Sequence, residues 1–148
     1  MRKIKVVLAS GTFDLPHYGH LKFLEEAKKA GGNNAKLVVI VARDSTVERL
    51  KGAKPVIPEN QRRALIEALK PVDVALLGYE DLDYARVIEK IKPDIIVVGY
   101  DQRAIEDGVK KIIAEKKWKV DVVRVGKFEA EALNSSSKIK RKIVESWK

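Results

Sequence analysis

Short continuous apolar runs alternate along the chain with longer segments in which apolar residues recur at helical spacing. A run of four to six apolar residues is typical of a strand buried on both faces, whereas a 3.6-residue period is typical of an amphipathic helix. These patterns predict strands at Ile4–Ala9, Leu37–Val41, Val74–Leu77, Ile95–Val98 and Val120–Val125, and helices at Leu21–Ala30, Asp44–Leu50, from Pro58 to before Pro71, about Tyr84–Ile91, about Ile105–Lys116 and from about Ser136.

The alternation of strands and helices predicts an α/β fold. Strands that are separated by helices pair in parallel, so we expect one Rossmann-like domain over residues 1–148 with a parallel sheet of about five strands flanked by helices. The last predicted strand alternates partly between apolar and polar residues, which favours a position at the edge of the sheet. No repeat or linker divides the chain.

Polar segments follow three of the predicted strands, where an open parallel sheet binds its ligands. These segments are Gly11–His20 after the first strand, Arg43–Asp44 after the second and Gly99–Gln102 after the fourth. Because the carboxyl ends of parallel strands meet at one edge, we expect the three segments to lie close together. The sequence therefore predicts a ligand site at this edge.

Both histidines of the chain, His17 and His20, lie in the segment Gly11–His20. A glycine-containing turn between a strand and a helix is suited to bind phosphate, because backbone N–H groups and the helix dipole point towards it. Imidazoles add further hydrogen-bond donors. The HxGH spacing favours nucleotide phosphate chemistry, and the alternative is a turn that carries two surface histidines.

Composition narrows the classes of function. The absence of cysteine excludes disulfides, thiolate nucleophiles and cysteine-based zinc sites. No apolar run is long enough for a membrane span, and the charged start leads directly into a strand, so we expect a cytoplasmic protein without a membrane partner. The net charge of +9 raises nucleic-acid binding as one interpretation. The lysines are spread over most helices, however, and a basic site for polyphosphate substrates explains part of the excess, so we expect no nucleic-acid partner.

The segment Gly11–His20 resembles the HxGH signature of the nucleotidylyltransferase superfamily. The resemblance implies that His17 and His20 are catalytic: they bind the triphosphate and stabilise the pentavalent transition state at the α-phosphorus. It also implies that the backbone around Thr12 and Phe13 contacts the nucleotide phosphates. The nucleotide-binding residues implied here are Gly11, Thr12, Phe13, Tyr18 and Gly19.

A second segment, Asn134–Arg141, resembles the serine-rich ISSTxxR/K-type motif of the same superfamily. Hydroxyl groups at a helix start can cap the helix or bind the β- and γ-phosphates. The resemblance implies that Lys140 is the catalytic basic residue, with Arg141 as its alternate. The serines implied to bind nucleotide are Ser135, Ser136 and Ser137.

Three further stretches, Pro55–Arg63, Glu67–Asp73 and Lys92–Gln102, are similar to the archaeal FAD synthase (FMN adenylyltransferase) family. The resemblance implies that Asp101 binds ATP and that Phe128 is an aromatic residue near the nucleotide. Lys51, Arg62 and Arg63 are candidates for contact with substrate or phosphate. The alternatives are a surface loop for Lys51 and a solvated helix face for the two arginines.

The reaction implied by this resemblance is transfer of AMP from ATP to FMN, which yields FAD and pyrophosphate by direct in-line attack. Mg²⁺ would accompany ATP and be held mostly by substrate oxygens and water, so we expect no metal site built by the protein itself. The family also makes a homodimer plausible. The alternatives are a glycerol-3-phosphate cytidylyltransferase, whose Arg-Thr-x-Gly pattern is replaced here by Ala130–Leu133, and a non-catalytic nucleotide-binding module.

Overall fold

The computed structural model describes residues 4–81, 83–127 and 136–147. Within these ranges the apolar runs form strands and the amphipathic segments form helices. In chain order they are β1 (Val6–Gly11), α1 (Tyr18–Ala30), β2 (Lys36–Val41), α2 (Asp44–Lys51), α3 (Glu59–Glu67), β3 (Val74–Leu77), α4 (Tyr84–Ile91), β4 (Ile95–Val98), α5 (Arg103–Lys116), β5 (Asp121–Arg124) and α6 (Ser136–Ser146).

The described part of the chain forms a five-stranded sheet in the order β3-β2-β1-β4-β5, and every neighbouring pair is parallel. The prediction of a Rossmann-like α/β domain is therefore confirmed, and β5 lies at an edge as its alternation indicated. After β1 the chain builds the sheet in one direction through β2 and β3, and then crosses back to place β4 on the other side of β1. Such a reversal leaves a crevice between the carboxyl ends of β1 and β4.

Helices cover both faces of the sheet. On one face, Leu24 of α1 and Ile66 of α3 are fully buried against the apolar side chains of β1 and β2. On the other face, Ile88 of α4 and Val109 of α5 pack over Leu8 and its neighbours. The central strands are continuous apolar runs because both of their faces are buried.

Carboxylates accept backbone hydrogen bonds at the amino ends of β1 and β2. Asp94 accepts a hydrogen bond from the N–H of Val6 at 2.8 Å, and Asp73 accepts one from the N–H of Leu37 at 2.8 Å. These side chains satisfy backbone donors that the parallel ladder leaves without a partner at that edge. The opposite, carboxyl edge carries the polar loops, where ligands bind in folds of this kind.

Some helix boundaries differ from the sequence prediction. Helix α1 begins at Tyr18, three residues before the predicted start, because the side chain of His17 caps it. The residue types favour a cap of α2 by Asp44 and Ser45, but Asp44 is its first helical residue, and Arg43 precedes the helix without a side-chain cap. The carboxylate of Asp44 is instead paired with Arg62. In the ranges that the structure describes, no helix is both long and apolar enough to cross a bilayer.

Candidate active site

The two histidines form a reciprocal cap at the start of α1, at the edge where β1 ends. Nδ1 of His17 accepts a hydrogen bond from the N–H of Gly19 at 3.1 Å, and Nδ1 of His20 accepts one from the N–H of His17 at 3.2 Å. The two imidazole rings stack with their centroids 3.7 Å apart. The spacing of two residues between the histidines is therefore what this capping geometry requires.

Because each Nδ1 accepts a hydrogen bond, the proton of each neutral imidazole lies on Nε2. Both rings then present an Nε2–H donor at the same edge. The N–H group of Gly19 already donates to His17 within the cap. The donors for an anion therefore come from the imidazoles and not from this backbone group. Burial lowers the pKa of His17. Burial, with the positive charges of His17 and Lys51, lowers the pKa of His20 to about 3, so His20 is a neutral donor near pH 7.

The lowered pKa of His20 makes the folded protein less stable at acidic pH than at neutral pH. Between the ordinary value of 6.5 and the folded value of about 3, the unfolded chain binds a proton at His20 that the folded chain does not. Stability therefore falls as the pH drops through this window. From pH 7.5 to pH 5, we expect the wild type to lose about 2 kcal/mol more unfolding free energy than His20→Asn, as measured by urea denaturation. Equal losses would contradict the assignment.

The backbone between β1 and α1 adopts uncommon conformations. Phe13 and Leu15 both have φ of 54°, a left-handed conformation that is rare outside glycine. The buried ring of Phe13 packs edge-on against His20, with centroids 5.2 Å apart. A Cβ atom at Gly11 would lie 2.7 Å from the ring of Phe13, so only glycine fits there. Strained backbone of this kind is common at functional sites, where neighbouring groups hold it in place.

Asp14 holds this loop to two other segments. Its carboxylate accepts hydrogen bonds from the N–H groups of Val56 and Ile57, each at 3.0 Å, and from Nζ of Lys140 at 3.1 Å. Burial alone would raise the pKa of Asp14, but the two backbone N–H groups and Lys140 hold it below the ordinary value. Asp14 is therefore ionised near neutral pH, and it brings Lys140 of α6 to the loop that carries the histidines.

Arg62 lies beneath the same loop with 0% of its surface exposed. Its guanidinium donates to the carbonyl oxygens of Ile57, Thr12 and Ala42 at 2.7–2.8 Å and pairs with the carboxylate of Asp44 at 2.6 Å. Because Arg62 is fully buried, it lies neither on a solvated helix face nor where a substrate would contact it directly. It instead supports the loop at Thr12.

Arg63 points elsewhere, although it is the next residue. It pairs with Glu67 at 3.2 Å and approaches the carbonyl oxygen of Ala75 in β3 at 3.3 Å. This half-buried pair on α3 fits the helix-face interpretation. The structure does not bring Arg63 to the histidines.

Gln102 joins the two strands that flank the crevice. Its Oε1 accepts from the N–H of Gly99 at 2.8 Å, and its Nε2 donates to the carbonyl oxygen of Ser10 at 2.9 Å. The carboxyl ends of β4 and β1 are thereby held at a fixed separation. Asp101 is the exposed residue next to Gln102, with its Oδ1 3.3 Å from where a Cβ of Gly99 would lie. Asp101 therefore lies at the crevice, as its order in the sequence predicted.

Two further candidates flank the histidines. Lys51 ends α2, and its charge acts on His20, so a cation lies near the histidines. Tyr18 is half exposed at the first position of α1, with Nζ of Lys22 5.2 Å from the centre of its ring.

The serine-rich motif is only partly described. Phe128 and Ser135 lie outside the described residues, and Ser136 is described only as the first residue of α6. Ser137 follows on α6 as an exposed residue. The assignments of Phe128 and of all three serines therefore remain predictions.

Sequence reasoning did not identify Asp14 or Gln102 as site residues, and it did not foresee the buried support from Arg62. Asp14 lies inside the segment that was singled out for its histidines, and Gln102 ends the polar segment Gly99–Gln102 that follows the fourth predicted strand. Both positions were visible in the pattern. Their partners were not, because Val56 and Ser10 are 42 and 92 residues away along the chain.

The donor set at this edge suits phosphate better than a bare metal ion. The two imidazoles offer N–H groups, and lysines add positive charge. Among the described residues, no three histidine or carboxylate side chains form a group that could hold a metal. A divalent cation at this site would therefore depend on oxygen ligands from a bound polyphosphate.

The geometry can be compared with known proteins. The family model described as Cytidylyltransferase-like matches residues 8–142, which span the sheet, both histidines and Lys140. The chain belongs to the cytidylyltransferase-like family. Within the cytidylyltransferase-like family it is similar over nearly its whole length to archaeal members named FAD synthase, as the resemblance in the sequence implied.

Three of these archaeal FAD synthases illustrate the similarity. The protein of Ferroglobus placidus is 50% identical over 95% of this chain and 89% of its own length. The protein of Archaeoglobus fulgidus is 46% identical, with coverage of 95% and 98%. The protein of Methanopyrus kandleri is 45% identical, with coverage of 97% and 95%.

Solved structures confirm the fold of this cytidylyltransferase-like chain. A crystal structure described as a lipopolysaccharide core biosynthesis protein from Thermoplasma volcanium is 43% identical, with a TM-score of 0.77 over 86% of this chain and all of that one. Pantothenate synthetase from Thermus thermophilus is 18% identical, with a TM-score of 0.62 over 93% of this chain and 61% of that one, and shows a shared fold alone.

Proposed function

We propose that the chain transfers AMP from ATP to FMN and so produces FAD and pyrophosphate. The observation that carries the proposal is the pair of capped imidazoles at the end of β1, in which both Nδ1 atoms are used by the cap and the Nε2–H groups lie outside it. The choice of FMN as the acceptor is supported by the name FAD synthase that its archaeal relatives carry. The geometry supports the chemistry, and the relatives support the substrate.

The transfer needs one bond to form and one to break. A phosphate oxygen of FMN attacks the α-phosphorus of ATP, the bond from that phosphorus to the bridging oxygen of the β-phosphate breaks, and pyrophosphate leaves with the bonding electrons. No covalent intermediate with the protein is needed. Catalysis then rests on placing the two reactants in line and on stabilising the charge of the transferring group.

His17, His20 and the two lysines supply this stabilisation. The Nε2–H groups donate to phosphate oxygens without a change of protonation, because the low pKa of each ring keeps it neutral before ATP binds. Lys51 and Lys140 balance the charge of the triphosphate. Asp14 holds Lys140 at the loop and positions it, while Arg62 supports Thr12 from beneath.

Mg²⁺ accompanies ATP in this proposal. It would lower the charge on the triphosphate and be held by phosphate oxygens and water, in keeping with a site whose own side chains offer mainly donors. Contact of Asp101, Phe128 and the serines with the nucleotide is part of the same proposal. The cytoplasmic location, the homodimer and the absence of a nucleic-acid partner stay predictions from the sequence.

A panel assay tests the proposal. ATP and CTP are each combined with FMN, glycerol 3-phosphate and phosphopantetheine in the presence of Mg²⁺, and pyrophosphate and the coupled product are measured. We expect pyrophosphate and FAD in equal amounts from ATP and FMN, and far slower release from every other pair. Preferred reaction of CTP with glycerol 3-phosphate would replace the proposal by that activity. Nucleotide binding without pyrophosphate from any pair would identify a binding module.

A further inference from the structure

A cavity of about 220 Å³ extends from the carboxyl edge into the face of the sheet that α4 and α5 cover. Its inner end is apolar: Leu8 of β1, Ile96 of β4 and Val109 of α5 line it. These three residues belong to the buried core between the sheet and helices α4 and α5, so the cavity reaches into that core. A site for a small molecule is typically an apolar cleft with a few polar groups at its mouth.

The mouth of the cavity reaches the loop that follows β1. Gly11 and Thr12 line both the cavity and the proposed phosphate site. Among the described residues that were assigned to nucleotide binding, these are the only two that line it; Phe13 and Asp101, for example, do not. The cavity and the proposed nucleotide site therefore share Gly11 and Thr12 and, in the part of the chain that the structure describes, otherwise involve different residues.

Aromatic side chains form the rim on the side of β3 and α4. The guanidinium of Arg86 lies 3.8 Å from the centre of the Tyr79 ring. Tyr84 is half-buried, and a Cβ at Gly108 would lie 3.0 Å from its ring, so α4 and α5 approach closely around it. Tyr79 and Tyr84 both line the cavity. Flat faces of this kind suit a planar aromatic ligand.

We propose that this cavity binds the isoalloxazine ring of FMN. The inference rests on the proposed function and locates its acceptor. The apolar benzenoid edge of the ring would enter between Leu8, Ile96 and Val109, and the ribityl chain would carry the phosphate out to Gly11 and Thr12. Because the attack is in line, the acceptor approaches the α-phosphorus from the side opposite the leaving pyrophosphate, and the cavity connects to the phosphate site at Gly11 and Thr12.

The size of the cavity and its lining favour the flavin over the adenine of ATP. The volume of the cavity suits a fused tricyclic ring. This volume is smaller than the roughly 300–1,000 Å³ of a pocket that holds a whole ligand of drug size. Adenine presents hydrogen-bonding atoms around most of its rim and would meet mainly apolar side chains at the inner end. The isoalloxazine ring has one edge that is entirely hydrocarbon, which matches the apolar end.

Filling the cavity tests the proposal. Ile105 lines it from α5 and is only partly buried, so Ile105→Trp places a large ring at the wall of the cavity. We expect the KM for FMN to rise at least about tenfold, in line with the effect of a few misplaced methylene groups in an apolar pocket, and the KM for ATP to stay nearly unchanged. Ile113→Trp is the matched control, because Ile113 is also partly buried against this core on α5 but does not line the cavity, and it should leave both constants unchanged.

Riboflavin provides a second test on the wild-type protein, independent of whether the variant folds. It has the ring without the phosphate, so it should inhibit FAD formation in competition with FMN and not with ATP. The assignment of the cavity would be overturned by any of three results: a normal KM for FMN in folded Ile105→Trp, a rise in its KM for ATP alone, or competition of riboflavin with ATP. As long as the wild type forms FAD, the proposed function would remain intact. Failure of the wild type to form FAD would overturn both.

Discussion

Replacing His20 with asparagine should lower kcat for FAD formation by about 10²–10³-fold, the usual effect of removing one donor that stabilises charge in a transition state. The side-chain oxygen of asparagine can still accept the hydrogen bond from the N–H of His17, so the cap of α1 is kept. What is lost is the Nε2–H donor. The measurement is steady-state pyrophosphate release at saturating ATP and FMN, with thermal unfolding to confirm that the variant is folded.

The matched variant is His20→Gln, whose longer side chain places an amide N–H near the position of Nε2 but holds the cap less well. We expect it to recover part of kcat and to be the less stable of the two. Lys29→Ala, at an exposed position on the same helix, should leave kcat unchanged. Full activity in folded His20→Asn would mean that the imidazole only caps the helix.

The central strands were predictable because burial on both faces leaves a continuous apolar run, whereas the edge strand β5 was predicted from its partial alternation. The order of elements along the chain also predicted that Gly11–His20 and Asp101 share one edge. The start of α1 was predicted too late, because histidine is not a usual capping residue and the hydrogen bond between the side chain of His20 and the N–H of His17 has no signature in composition.

The supports of the site were hidden for a different reason. Asp14 and Arg62 bind backbone groups, which every residue has, so their partners cannot be identified from side-chain type. In the sequence, a buried arginine also cannot be distinguished from a solvent-exposed charged residue on an amphipathic helix, because its burial depends on the position of the loop above it. The residues proposed to meet the substrate follow the strands, whereas Arg62 holds the loop through contacts with Thr12, Ala42 and Asp44 across 18 to 50 positions of the chain.

Replacing Arg62 with methionine should lower the unfolding free energy by about 3–5 kcal/mol, the range for removing one member of a buried ion pair. Methionine fills much of the same volume but donates no hydrogen bond. The carboxylate of Asp44 then loses its cation, and the carbonyl oxygens of Thr12 and Ala42 lose their donors in a buried place. Urea denaturation at pH 7.5 measures the loss, and Arg62→Lys should be intermediate because an ammonium group cannot reproduce the planar fork.

Arg63→Met is the natural control for this change, since the same substitution one residue later removes a partly exposed pair with Glu67 and a long contact to the carbonyl oxygen of Ala75, and a loss of only about 1 kcal/mol is expected. A double-mutant cycle between Arg62→Met and Asp44→Asn then separates the ion pair from the carbonyl contacts. If the support acts chiefly through the backbone, Arg62→Met stays strongly destabilising even when Asp44 is already neutral. Losses as small in Arg62→Met as in Arg63→Met would show that the loop at Thr12 holds its shape without the guanidinium.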